Sequence, residues 1–229
     1  MNKPNGNMYP WAYTQNFVAG KCPHGCGYCY VENKIAPMLS RWGDNRYEKA
    51  ELSLIEKSFH EKLVVPNGYV VFVQSCGDLF AELIPAEWIF RVLDRILEFP
   101  QTTFLLQSKN PARFLDFKIP GNCVLGTTLE SNRRYLDTHA PKETDRLAAM
   151  QVLTWSFPVM VSIEPVRDFD FDVFVCWIRS LHPEFVSVGA DSGKNGLSEP
   201  PAWKLKKLLR ELAAFTEVRV KDNLERLLN

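Results

Sequence analysis

From Tyr69 onward, short apolar runs rich in β-branched and aromatic residues alternate with longer amphipathic stretches, and this alternation constrains the fold more than any other feature. Tyr69–Gln74, Thr102–Gln107, Asn122–Leu129, Val159–Ile163, Phe185–Gly189 and Val218–Val220 read as strands, the first of them apolar enough to be buried on both faces. Between them, Pro85–Phe99, Asn110–Leu115, Lys142–Leu153, Asp172–Leu181 and Pro201–Phe215 read as helices. In the first of these, Trp88, Val92, Leu93, Ile96 and Leu97 recur at helical spacing and Pro85 suits a first turn. Strand starts roughly 20–35 residues apart leave room for a crossover, as parallel βαβ units require. Five or six such units build either a partly closed parallel barrel or a doubly wound sheet, and periodicity does not separate the two.

Upstream, Tyr13–Ala19 reads as a further strand and residues 47–63 as a helix, although Ser53, Leu54 and Ile55 could equally begin an extended segment. The expected organisation is a tail over 1–12 and one domain over 13–229. Lys plus Arg and Asp plus Glu are 27 each, so no global charge draws the chain to nucleic acid or to an anionic membrane. Met1 to Pro10 hold no apolar segment, so no signal peptide is expected, and no run of 18 apolar residues spans a bilayer. Six Cys without a secretory signal point to the reducing cytoplasm, where thiols serve metals or cores.

The cysteines are unevenly placed. Cys22, Cys26 and Cys29 fall in C-x3-C-x2-C spacing within Lys21-Cys-Pro-His-Gly-Cys-Gly-Tyr-Cys-Tyr30, where Gly25 and Gly27 let the backbone wrap a small object. Three thiolates without a fourth suit a cubane [4Fe–4S] cluster with one iron open to an outside ligand. Zinc with His24 as fourth ligand is the other reading. Cys123 and Cys176 stand in apolar runs and read as buried core thiols.

In parallel α/β folds, ligands gather beyond the carboxyl ends of the strands. The three Cys follow the first strand, and Ser75-Cys-Gly-Asp-Leu-Phe80 the second. Ser108-Lys-Asn110, Glu130-Ser-Asn-Arg-Arg134, Glu164-Pro-Val-Arg167 and Ala190-Asp-Ser-Gly-Lys-Asn-Gly196 follow the next four. One polar strand end is ordinary, whereas six that share a rim point to a site.

The Cys spacing, with aromatic Tyr28 just before the third Cys, resembles the radical S-adenosylmethionine (SAM) enzymes. Cys-Gly-Asp-Leu-Phe80, Gln-Ser-Lys-Asn110, Thr-Thr-Leu-Glu-Ser131, Ser-Ile-Glu-Pro165 and Val-Gly-Ala-Asp-Ser-Gly193 resemble an uncharacterised three-Cys-motif family of phages, plasmids and bacteria. That family is distantly related to spore photoproduct lyase-like proteins, and the resemblance covers most of residues 11–223. It departs where Ala190-Asp191 stands in place of an expected Gly-Glu.

The resemblance implies a single-domain partial (β/α)6 TIM-like barrel holding a [4Fe–4S] cluster on Cys22, Cys26 and Cys29. It implies SAM on the open iron, cleaved to a 5′-deoxyadenosyl radical that abstracts hydrogen from an unidentified substrate. Gly77 and Asp78 would receive the SAM ammonium, and Asp78 could equally cap the helix that follows. Thr128, Glu130, Ser162 and Glu164 are candidates for the ribose hydroxyls, against plain readings as sheet threonine, serine and solvated carboxylates. Tyr28 and the loop after Gly189 would flank the adenine. Lys109 would meet the SAM carboxylate or an anionic substrate, or simply end a strand in solvent. Arg133, Arg134 and Arg167 could make the rim basic, though each alone reads as surface. Cys76, at a strand end, would return a hydrogen atom if its side chain faced the site, and one residue of register reverses it. Partners implied are a flavodoxin- or ferredoxin-type electron donor and a large substrate, a nucleic acid base or a protein. A non-catalytic zinc- or cluster-binding nucleic-acid module, stacking bases on Trp11, Tyr28, Tyr30 and Trp42, is the rival class.

Overall fold

The computed structural model describes residues 1–4 and 9–229, so positions 5–8 of the expected tail lie outside the described residues. The chain enters through β1 (Ala12–Gln15) and β2 (Val18–Ala19), then a π-helical turn (Val31–Ile35) that runs into α1 (Ala36–Ser40). Next come β3 (Ser53–Leu54), α2 (Glu56–His60), β4 (Val70–Val73), α3 (Ala86–Leu97) and β5 (Phe104–Ser108). A 3-10 segment (Pro111–Asp116), β6 (Cys123–Thr128), α4 (Glu143–Leu153), β7 (Val159–Ile163) and α5 (Phe171–Ser180) follow. The chain ends on β8 (Phe185–Val188), α6 (Ala202–Ala213), β9 (Glu217–Val220), a 3-10 turn (Asp222–Leu224) and α7 (Glu225–Leu228). No helix among the described residues is long and apolar enough to cross a membrane.

Seven strands pair in parallel in the order β1-β4-β5-β6-β7-β8-β9. The order follows the chain without reversal. A doubly wound sheet needs a reversal, so the sheet curls instead into a half-barrel, as a partial TIM-like barrel does.

Period-2 alternation divides each strand between two layers. Val71, Val73, Leu106, Leu125, Val161 and Val186 face the helices, meeting Ile89, Val92, Met150, Phe174 and Leu208 in one core. Ala12, Phe72, Leu105, Met160 and Phe185 face the concave side with Tyr9. There Tyr9 stacks on Trp11 at 4.9 Å, and Trp11 meets Phe185 edge-on at 5.1 Å. The Arg219 guanidinium lies over both the Trp11 and Phe185 rings, at 4.4 and 3.8 Å. Space is tight in β6: a Cβ on Gly126 would lie 2.6 Å from Met160 Sδ, so only glycine lets β6 pass that side chain.

The structure corrects the sequence reading between residues 13 and 63. The strand expected over 13–19 is cut in two, because the Gln74 side chain occupies the ladder. Its Oε1 accepts from Phe17 N and Val18 N, each at 2.9 Å, and its Nε2 donates to Val18 O at 2.8 Å. β2 then pairs antiparallel with β3, the extended alternative at Ser53. The helix expected over 47–63 shrinks to α2, since Gly20 N and Lys21 N draw the backbone at Arg46 and Lys49 into hydrogen bonds of 2.8 Å. The unexpected π turn before α1 fits Pro37, which has no N–H to continue a regular ladder. Cys123 is buried, but Cys176 is exposed: Phe174, Val175 and Ile178 take the core face of α5 and leave residue 176 outside.

Candidate functional site

A cavity of about 310 Å3 opens beyond the carboxyl ends of the strands. Small-molecule sites occupy roughly 300–1,000 Å3. Cys22, Cys26, Tyr28 and Cys29 form one wall. The strand ends supply the other: Gly77 and Asp78 after β4, Lys109 after β5, Thr128 on β6, Glu164 after β7, Asp191 after β8 and Lys221 after β9.

The Cys loop is held from outside itself. Gly25 takes φ +51° beneath the His139 ring, a backbone state that favours glycine. Gly27 N donates to Asp137 O and His139 N to His24 O, both at 2.8 Å, so residues 137–139 run beside the loop. Arg167 anchors that segment, donating to both Asp137 carboxylate oxygens at 2.7 Å with its guanidinium 3.6 Å from the Tyr135 ring centre. Burial pushes the Cys22 thiol up, and the charges of Asp78, Cys26 and Cys29 add to it; burial also raises Cys29.

Two buried carboxylates tie the loop to the sheet. Asp78 accepts from His24 Nε2 at 2.7 Å, Ser108 Oγ at 3.0 Å and Lys109 N at 2.8 Å, and its other oxygen takes Phe80 N at 2.9 Å. Burial opposes its ionisation, but these partners hold it below the usual carboxylate range. Asp78 does not cap the helix that follows, since α3 starts at Ala86 with no side-chain cap; its bond to Phe80 N closes a turn beside its place on the cavity wall. His24, considered as a zinc ligand, is engaged by Asp78.

Glu130 is the second. It accepts from the Tyr28 hydroxyl, from Lys109 Nζ and from Arg146 Nη1, the last at 2.9 Å. Burial opposes its ionisation too, yet the charges of Lys109 and Arg146 outweigh it and hold the carboxyl at about 2. Arg146 is fully buried and also donates to Thr128 O at 3.0 Å and Pro141 O at 2.7 Å. Thus Glu130 stands behind the cavity wall, and Lys109 is an ion-pair partner, not a solvated strand end.

Thr128 lines the cavity, and its Oγ1 accepts from Gln107 Nε2 at 3.1 Å. Ser162 is buried deeper in the half-barrel, next to Tyr9, whose hydroxyl donates to Gln107 Oε1 at 2.6 Å. Glu164 pairs with Lys221, and Gly189 gives that pair room, since a Cβ there would lie 2.9 Å from Glu164 Cδ and 3.0 Å from Lys221 Cδ. Asp191 folds its own loop, accepting from Gly193 N at 3.0 Å and Asn195 Nδ2 at 2.7 Å. Cys76 is not on the cavity wall; it packs behind Cys29 with Tyr47 and Tyr30, and burial raises its thiol. Arg133 pairs with Asp168 and Asp170. Of the aromatics considered for base stacking, Trp11 packs in the half-barrel and Tyr28 and Tyr30 donate to Glu130 and to Ser75 O; Trp42 is exposed.

Arg146, Lys221 and residues 137–139 also belong to the site and its supports, beyond the residues expected from the sequence. A charge on the buried stripe that Leu147, Met150 and Leu153 define was the signal for Arg146. Lys221 directly follows the last strand and falls under the same strand-end rule as the rest. Nothing marked 137–139, whose contacts with the Cys loop and with Arg167 join residues distant in sequence. Among the described residues, no three of His, Cys, Asp and Glu converge closely enough to hold a single metal ion.

A spore photoproduct lyase structure with bound AdoMet and dinucleoside spore photoproduct is similar at TM-score 0.60 and 12% identity, over 91% of this chain and 75% of that one. A second, complexed with dinucleoside spore photoproduct, gives 0.57 and 11% over 89% and 74%. Streptococcus suis SuiB bound to S-adenosylmethionine gives 0.53 and 7% over 92% of this chain and 50% of that one. At such identities the likeness is one of fold. No curated protein matches the sequence. Residues 12–219 match the model of the family described as "Protein of unknown function (DUF5131)", and the chain belongs to that family.

Proposed function

We propose that this protein is a radical SAM enzyme, with Cys22, Cys26 and Cys29 holding a [4Fe–4S] cluster and the adjoining cavity taking SAM. The observation that carries the reading is the placement of those three residues along one wall of the cavity at the carboxyl rim of the half-barrel. The fold shared with two proteins crystallised with SAM supports it.

The donor set fits the group. Three soft sulfur donors on the cavity wall suit a cubane, and thiolates that would each hold a separate iron need not converge on one point as zinc ligands do. When bound, the cluster would supply one electron to the SAM sulfonium, so that the C5′–S bond breaks to methionine and a 5′-deoxyadenosyl radical.

The chain's own residues bind, orient and exclude water. Gly77, with Asp78 behind it, offers the acceptor region for the SAM ammonium. Thr128 and Glu164 present oxygens for the ribose hydroxyls, and Ser162 supports them from below. Tyr28 and the loop after Gly189 flank the adenine, with Tyr28 oriented by Glu130. Lys109 leaves its charge at the wall for the SAM carboxylate while Glu130 fixes its position. Cys76, packed behind Cys29, braces the ligand loop. A flavodoxin- or ferredoxin-type protein delivers the electron in a reducing cytoplasm, and the substrate enters at the open rim.

Anaerobically reconstituted protein with dithionite and SAM should release 5′-deoxyadenosine, and Cys22→Ala, Cys26→Ala and Cys29→Ala should each abolish both iron content and release. Cys123→Ala should change neither. Wild-type protein that holds iron and sulfide yet yields no nucleoside would overturn the reading.

A further inference from the structure

We infer that Thr138 is a positioning residue for the proposed cluster: its hydroxyl donates to the Cys26 sulfur and sets how readily the cluster is reduced. This rests on the assignment of Cys26 as a cluster ligand. Thr138 Oγ1 lies 3.2 Å from Cys26 Sγ. Backbone hydrogen bonds from Gly27 N to Asp137 O and from His139 N to His24 O, both 2.8 Å, flank the contact on either side. The hydroxyl is therefore held against the sulfur by main chain and not by its own rotamer alone.

Proton bookkeeping gives the contact its direction. A threonine hydroxyl has one proton and two lone pairs. Ala140 N donates to Oγ1 at 3.1 Å and fills one lone pair, while the proton has two acceptors in reach, His24 O at 3.2 Å and Cys26 Sγ. While Cys26 is a thiol, its S–H can fill the second lone pair and the hydroxyl proton serves His24 O. As a metal-bound thiolate, Cys26 has no proton and carries charge, so the hydroxyl proton turns to sulfur in a charge-assisted bond.

Among the described residues, Cys26 is the ligand whose donor is a side chain, and it comes from the distant β6–α4 connection. Hydrogen bonds to cluster sulfurs favour the reduced, more negative state and are a known lever on its potential.

The test is redox titration, followed by electron paramagnetic resonance, of reconstituted wild-type, Thr138→Val and Thr138→Ser protein, with iron counted in each. At the potential where wild type is half reduced, Thr138→Val should show a reduced-to-oxidised ratio lower by about tenfold, equal to about 59 mV for one electron. Thr138→Ser should return to wild type. Full iron with an unchanged potential in Thr138→Val overturns the inference and leaves the cluster reading standing. Wild type that binds no iron–sulfur cluster overturns the cluster reading itself. If Thr138→Val loses iron, Thr138→Ala is titrated instead; loss of iron in both, with Thr138→Ser normal, would make the hydroxyl a requirement for binding and overturn the tuning role.

Discussion

At residue 130 a carboxylate with almost no exposure meets Lys109, Arg146 and the Tyr28 hydroxyl, so one side chain links the Cys loop, two strand ends and α4. Breaking a buried pair leaves an uncompensated charge, which costs about 3–5 kcal/mol. Glu130→Gln should therefore unfold at lower urea at neutral pH. The pH dependence has a definite sign. Glu130 shifts from 4.5 to about 2 on folding, so between those values the unfolded chain binds the extra proton. Its stabilisation is present above 4.5 and lost as pH falls toward 2. Urea midpoints between pH 6 and 3 should fall more steeply for wild type than for Glu130→Gln, and equal slopes would contradict the assigned network. Glu130 was visible in the sequence as a strand-end carboxylate, but its role was not, because Arg146 lies sixteen positions away in a helix that reads as ordinary.

Among the elements, β6 and β7 show how closely neighbouring strands are fitted. Gly126→Ala places a methyl 2.6 Å from Met160 Sδ and 3.0 Å from its Cγ, and overpacking of this kind costs about 1–3 kcal/mol. In a Met160→Ala background the cost should largely vanish, giving a coupling energy of at least about 0.5 kcal/mol in a double-mutant cycle measured by denaturant. Additive effects would show that the Met160 side chain is not what excludes a methyl. Strands and helices from β4 to β9 were legible because both layers of a parallel sheet demand apolar runs, and amphipathic helices such as Trp88 to Leu97 advertise their buried stripe. The segment before β4 was not. There the chain's course is set by the Gln74 amide and by backbone bonds from Gly20 and Lys21, and polar contacts between residues distant in sequence leave no periodic trace.

Across the whole molecule, seven parallel strands laid down in chain order bring their carboxyl ends to one rim, and the Cys loop is fastened over it by Asp78, Glu130 and residues 137–139. The strand-end rule located the cavity wall from sequence: the three Cys, Asp78, Lys109, Thr128 and Glu164 all line it. It could not tell wall from support, because direction changes with every residue along a strand and Glu130, Ser162 and Cys76 fall just off the surface. The proposed cluster would keep one iron open toward this cavity. Electron paramagnetic resonance of the reduced, reconstituted protein with and without saturating SAM tests it most directly. About four irons per chain are expected, with a spectrum that changes on adding SAM, whose amine and carboxylate would join the open iron. A colourless protein holding zinc, or a cluster whose spectrum is the same with and without SAM, would contradict it.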